Sequence, residues 1–256
     1  GLIGENGAGK TTLIRLLTGL ANPSAGELFL FGHQGKSIAG QRSRMGCIIE
    51  GPSLYSEMTA IENLEVQRLQ RGIPGKENLD HVLALVHLDH AGKKKVKNFS
   101  LGMRQRLALA IALLGTPEFL VLDEPINGLD PVGILELRNL LKSLNKDMGI
   151  TILISSHILS ELNQLATKYG ILSHGELMQE IDAKELEKQC QKHLYLKVSD
   201  ASKVASLLEL ELHTHNYRVL PDNSICLYDY LDAPEQISAM LGRNDITLYQ
   251  LTCKGE

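Results

Sequence analysis

A chain of 256 residues has room for one large domain or two modest ones. With 43% apolar and 22% charged residues it has the makeup of an ordinary soluble globular protein, and no apolar run approaches the roughly 20 residues of a membrane span. A net charge of −4 argues against general nucleic-acid binding, and Cys47, Cys190, Cys226 and Cys253, scattered and without a C-x-x-C pair, read as reduced thiols of a cytosolic protein rather than a zinc site or disulfide framework.

The first motif arrives at once. Gly4-Glu5-Asn6-Gly7-Ala8-Gly9-Lys10-Thr11-Thr12 follows the G-x-x-x-x-G-K-[ST] pattern of a phosphate-binding P-loop. Its glycines let the backbone curl and aim N–H groups at phosphate oxygens, Lys10 supplies charge for the β- and γ-phosphates, and the Thr11 hydroxyl can hold Mg²⁺. Thr12 to Leu17 reads as the helix whose positive end faces the anion. Only Gly1-Leu2-Ile3 precede the loop, whereas a P-loop follows a whole strand. The chain is therefore expected to begin inside a domain, with the first strands upstream, and it shows no signal peptide.

Asn22 to Gly26 predicts a turn, Glu27 to Phe31 a short strand closed by Gly32, and Met45 to Ile49 an apolar strand ending in the turn Glu50-Gly51-Pro52. Thr59-Ala60-Ile61-Glu62 is a capping box, so a helix starts there and ends near Gly72. A second runs from about Lys76 to Val86 with Leu79, Val82, Leu83 and Val86 on one face. These helices, within about residues 51–115, read as an insertion between strands. Lys93-Lys94-Lys95 with Lys97 is the one dense basic run and reads as a solvated loop. Ser100 is a natural N-cap for an apolar helix that stops at Gly115-Thr116-Pro117.

Phe119 to Leu122 is a buried strand that ends in Asp123-Glu124. Asp130 caps a helix with Pro131 at its first position, running to about Met148. Ile150 to Ser155 is another buried strand, ending at Ser156-His157. A helix over about Ile158 to Ala166 and strands at Tyr169 to Leu172 and Glu176 to Gln179 complete the region. Alternating buried strands and helices predict a mostly parallel α/β sheet, in which ligands sit at the carboxyl ends of the strands. The P-loop, Glu50, Asp123-Glu124 and His157 all follow strand ends. Asp123 is placed to reach Mg²⁺ and Glu124 to orient or deprotonate the attacking water.

From residue 183 the pattern changes: a charged helix (Ala183 to Lys192), a strand (Leu194 to Val198), a helix (Ala201 to Leu210), two strands joined by an Asp222-Asn223 turn, a helix (Pro234 to Leu241) and a strand (Ile246 to Leu251). This is a small α+β module of the split β-α-β kind with no catalytic cluster. The expected organisation is an ATP-binding domain over 1–182 and an accessory module over 183–256.

In combination the motifs resemble the ATP-binding subunit of ABC transporters over residues 1 to about 180: the P-loop, a signature segment at Phe99 to Met103, a Walker B strand at Phe119 to Glu124, a D-loop at Asn127 to Asp130 and a switch histidine at His157. The resemblance implies a P-loop NTPase fold and a head-to-tail dimer, of like or unlike subunits. ATP would lie between one P-loop and Ser100 and Gly102 of the other subunit, with Asp130 and His157 at the same site. It also implies an integral-membrane permease as partner, and a place at the inner face of the cell membrane. Two departures stand out: Glu50 occupies the usual glutamine position, where it could serve Mg²⁺, and the usual L-S-G-G-Q is Phe99-Ser100-Leu101-Gly102-Met103. Both, with the C-terminal extension, look like the bacitracin and lantibiotic immunity branch, which implies antibiotic-peptide export or self-protection. The adenine-stacking aromatic of the family lies upstream of the P-loop, where this chain has no residues.

Two other classes fit the sequence less well. An ABC-type ATPase acting on ribosomes or DNA usually carries two cassettes or a long coiled coil, and this chain has one P-loop, no heptads and a negative charge. A P-loop small-molecule kinase does not account for the signature segment and His157.

Overall fold

The strand that feeds the P-loop, β1 (Leu2–Ile3), lies inside a sheet assembled from segments far apart in the chain. A computed structural model describes every residue except Pro52, Gln164 and Glu256, and leaves aside the side chains of Glu161, Lys188, Gln189 and Cys190. Pro52 of the turn after Glu50, and the Cys190 thiol, thus lie outside the described residues. The chain forms two compact units, Gly1–Asp182 and Ala183–Glu256.

In the first unit β1 leads through the P-loop into α1 (Lys10–Thr18), β2 (Phe29–Leu30), β3 (His33–Gln34), α2 (Ile38–Gln41), β4 (Met45–Ile48), α3 (Ala60–Gln70), α4 (Asn78–Leu85), α5 (Leu101–Leu113), β5 (Phe119–Asp123), α6 (Pro131–Met148), β6 (Thr151–Ser156), α7 (Leu159–Leu162), β7 (Lys168–Ser173) and β8 (Glu176–Asp182). The main sheet has the order β4-β5-β6-β1-β7-β8. The first five strands run parallel, and β8 turns back antiparallel on β7. Leu120, Val121 and Leu122 of β5 are buried, as an apolar run covered on both faces requires.

Local sequence explains where the helices begin. Thr59 and Glu62 form both halves of the capping box at α3, Ser100 accepts from the Met103 N–H at α5, and Asp130 accepts from the Gly133 N–H at α6, where Pro131 is the first residue. α6 ends at Gly149, which takes the left-handed conformation that glycine adopts without a Cβ penalty. α3, α4 and α5 pack on one another, with Leu64, Leu79, Val82, Leu83 and Leu107 buried.

Two local expectations are corrected. Phe31 does not extend its strand. Phe31 and Gly32 have φ of 50° and 76° and form the two-residue turn of a β2–β3 hairpin, pairing Leu30 with His33. The helix after His157 is one turn long. The Leu165 and Ala166 N–H groups both fold back onto the Leu162 carbonyl, which also accepts from the Tyr169 hydroxyl, so the ladder closes there.

The second unit runs α8 (Ala183–Cys190), β9 (His193–Val198), α9 (Ala201–Leu210), β10 (Tyr217–Val219), β11 (Ser224–Leu227), α10 (Pro234–Arg243) and β12 (Leu248–Lys254). Its antiparallel sheet has the order β10-β11-β9-β12, with β11 inserted between β9 and β10, so β9-α9-β10 is a split β-α-β unit. Leu196, Val204, Leu208, Ile225, Leu227, Ile237 and Met240 form its own buried core. No helix among the described residues is long and apolar enough to cross a membrane.

Candidate active site

The register of the parallel strands levels their carboxyl ends. Ile3 pairs with Ser156, and Asp123 with Ser155, so the ends of β1, β5 and β6 stand side by side. The P-loop, Asp123-Glu124 and His157 leave the sheet at that edge.

The loop's shape is set by its glycines. A Cβ on Gly4 would lie 2.5 Å from the Leu172 carbonyl oxygen, so no other residue fits there. Gly9, at φ 104°, caps α1 without a side-chain acceptor, whereas α3, α5, α6 and α9 are capped by Thr59, Ser100, Asp130 and Asp200. The first-turn N–H groups of α1 are thus left for an outside acceptor, at the end where the helix field favours an anion. Lys10 is only 6% exposed. Its ammonium donates to the Gly4 carbonyl at 2.7 Å and the Glu5 carbonyl at 3.2 Å, and lies 3.6 Å from Glu124 Oε1.

Thr11 Oγ1 donates to Asp123 Oδ2 at 2.9 Å, and Ser155 Oγ donates to Asp123 Oδ1 at 2.6 Å. Ser155 Oγ also accepts the Glu124 N–H at 2.9 Å. That bond helps to hold Glu124 at φ 48°, a left-handed backbone that costs a non-glycine residue on the order of 1–3 kcal/mol and aims its carboxylate off the strand line. His157 Nδ1 lies 2.9 Å from Glu124 Oε2. Between these groups is an open cavity of about 400 Å³, lined by Asn6, Gly7, Gly9, Lys10, Thr11, Thr12, Glu124, Asn127 and His157. A larger one, about 700 Å³, lies by Gly1, Thr151 and Tyr169 at the opposite ends of the strands, away from this chemistry.

The donor set fits a nucleotide triphosphate with a divalent cation. An uncapped helix end and a buried ammonium suit phosphate oxygens, and a hydroxyl beside a carboxylate suits a hard cation. The structure brings Asn6, Gly7, Gly9, Lys10, Thr11, Thr12, Asp123, Glu124 and His157 together, with Gly4, Glu5 and Ala8 forming the loop behind them. Glu50 stands apart. It is largely exposed at φ 57° and pairs with Arg15 of α1. Ser100 and Gly102 open α5 outside the cavity, and Asp130 serves there as the cap of α6.

Sequence reading missed Ser155, which ties Asp123 to the Glu124 backbone; only the β5–β6 register shows it. It named Asn127 only as the start of the D-loop and not as a lining residue of this cavity, and it missed Gln105, whose buried amide donates to the Pro125 carbonyl at 2.8 Å and ties α5 to the segment after Glu124. A lone glutamine in an apolar helix was the available signal for the last.

The chain is similar to known proteins along most of its length. A family model described as ABC transporter matches residues 1–127. The bacitracin transport ATP-binding protein BcrA of Bacillus licheniformis is 44% identical over 253 residues, covering 98% of this chain and 83% of that protein. The lantibiotic transport ATP-binding protein SrtF of Streptococcus pyogenes is 43% identical over 179 residues, covering 70% of this chain and 76% of that one. Among solved structures, cbiO1 of Clostridium perfringens, part of the ABC transporter complex cbiONQ, superposes with a TM-score of 0.66 at 25% identity, covering 83% of each chain.

Proposed function

This chain belongs to the ABC transporter family as an ATP-binding subunit with ATPase activity, and on that premise we propose that it drives an exporter conferring resistance or immunity to bacitracin- or lantibiotic-type peptides. The observation that carries the reading is the 44% identity to a bacitracin transport ATP-binding protein along 98% of the chain.

In this reading the residues Gly4 to Thr12 cradle the phosphates through backbone N–H groups, and Lys10 neutralises the β- and γ-phosphates. Thr11 and Asp123 would hold Mg²⁺, and Glu50, which pairs with Arg15 in this structure, would be a further oxygen ligand. The metal, when bound, supplies charge neutralisation to the transferring phosphoryl group. Glu124 takes the proton of the attacking water, and His157, within hydrogen-bond reach of that carboxylate, orients it and faces the γ-phosphate. Ser100, Gly102 and Asp130 complete the site of a second ATP-binding subunit placed head to tail, which accounts for their position outside the cavity of their own chain. The partner in the membrane is a permease, with this subunit peripheral on its cytoplasmic side.

The test is to express the chain with candidate permeases from its own genome and measure survival in bacitracin and in a lantibiotic. Protection that disappears with Lys10→Ala supports the proposal. Copurification of the permease without protection against either peptide would reject the substrate class, and no copurification would reject the transporter partner.

A further inference from the structure

The P-loop is supported from behind by a turn that the sequence motifs do not include. β7 and β8 are joined by His174 and Gly175, whose φ values of 49° and 83° are those of a two-residue type I′ hairpin turn, with Ser173 and Glu176 paired across it. Because β7 pairs in parallel with β1, as Leu2 with Gly170 and Ile3 with Ile171, this turn emerges at the height of the P-loop. The Gly175 N–H donates to the Ala8 carbonyl at 2.9 Å. A Cβ on Gly9 would stand 3.3 Å from Gly175 Cα, so loop and turn are in close backbone contact. Ala8 is buried with Leu2 and Leu172 in a small apolar cluster beneath the loop.

We propose that Gly175 is a positioning residue for nucleotide binding: its N–H fixes the Ala8 carbonyl and so holds the Gly7–Gly9 crown in the curled form that aims its amides at phosphate. The inference rests on the assignment of Gly4 to Thr12 as the phosphate loop. The physical reason for such a prop is local. Gly7 and Gly9 both sit at positive φ, 84° and 104°, and glycine loses more conformational freedom on ordering than any other residue. A loop with three glycines does not hold one shape by itself, and a shape already fixed before binding spares the ligand the cost of ordering it.

The test uses the full chain and ATP. A backbone ester in place of the 174–175 amide removes the N–H donor and leaves Gly175 its positive φ, which a proline ring, fixed at about −65°, could not adopt. Gly175→Asn keeps the N–H, tolerates positive φ, and has open space for its side chain, since nothing lies within 4 Å of a Cβ there. The ester variant is expected to raise the KM for ATP about tenfold, the scale of one lost hydrogen bond, with a smaller change in kcat. The asparagine variant is expected to stay within about twofold of wild type, well under the change set by one hydrogen bond. A folded ester variant with wild-type KM, or an asparagine variant as impaired as the ester one, overturns the proposal. Wild-type ATP binding that is lost in Lys10→Ala keeps the phosphate-loop assignment standing in either case.

Discussion

His157 and Glu124 meet across two neighbouring strand ends: the imidazole Nδ1 lies 2.9 Å from Oε2 of the carboxylate, while Oε1 of the same group lies 3.6 Å from the Lys10 ammonium. The carboxylate is thus held between the Lys10 side chain and a ring that can donate to it. It is oriented on both sides, and its backbone is fixed by Ser155.

Glu124→Gln is expected to retain ATP binding and to lose turnover by roughly 10²–10⁴, the usual worth of general-base assistance. Lys10→Ala is expected to weaken binding itself. Equilibrium binding of a fluorescent nucleotide, set beside phosphate release, separates the two; a Glu124→Gln enzyme with near-wild-type turnover would remove Glu124 from the role of base.

On the proposal that His157 acts through the carboxylate it touches, His157→Ala and Glu124→Gln are expected to be non-additive. The double variant should hydrolyse ATP no more slowly than about the worse of the two single variants, as residues working as one unit do. Fully multiplicative losses would show that the histidine works independently of Glu124.

Glu50 and Arg15 form an ion pair whose side chains are 62% and 44% exposed. A pair this open is worth only about 0–1 kcal/mol, so Glu50 can leave it at little cost for a better partner. Glu50→Gln is therefore expected to narrow the difference between ATP affinities measured with and without Mg²⁺, because a carboxylate near a phosphate is repelled unless the metal lies between them. An unchanged difference would leave Glu50 with no part in metal binding.

Glu65 on α3 is held by Arg68 at 2.8 Å and by Lys76 at 3.0 Å, and these bonds lower its pKa to about 2. A carboxyl depressed in the folded state contributes stability that is present above its unfolded pKa, about 4.5, and lost as pH falls through the folded value. Thermal unfolding of wild type and Glu65→Gln should therefore differ at pH 7, converge between about pH 4 and pH 2, and differ little below. A difference independent of pH would assign the effect of the substitution to packing.

Residues 183–256 have a buried core of their own, built on Leu196, Val204, Leu208, Ile225, Leu227 and Ile237. We expect a chain ending at Asp182 to keep its affinity for ATP and to lose part of its dimerisation or its coupling to the permease. Unchanged assembly and unchanged protection of cells would make the second unit an inert appendage.

Much of the fold was legible because its instructions are local. Thr59, Ser100 and Asp130 were readable as caps since an N-cap acts within three residues, and Pro131 and Gly149 bound α6 for reasons of their own backbone. The runs Phe119 to Leu122 and Ile150 to Ser155 were readable as strands, but the second is not buried throughout: Thr151 is exposed and Ile152 and Leu153 are half-buried. Failures were also local in kind: Phe31 has the side chain of a strand residue but lies beside Gly32 in a turn, and one-turn α7 is closed by the Leu162 carbonyl, which receives a hydroxyl from Tyr169 seven residues on.

By itself the sequence determined the parts of the site: a loop that only glycines can curl, an ammonium, a hydroxyl, and carboxylates at strand ends, because each of these is a property of residue type and short spacing. Tertiary structure alone decided their mutual placement. The β5–β6 register put Ser155 under Asp123 and Glu124, and the order β6-β1-β7 put the His174-Gly175 turn behind the P-loop, 167 positions beyond Ala8, where Gly175 donates to the Ala8 carbonyl. It also turned Glu50 to Arg15. Strand order and register depend on which apolar faces bury one another across the whole chain, and no short stretch of sequence carries that choice.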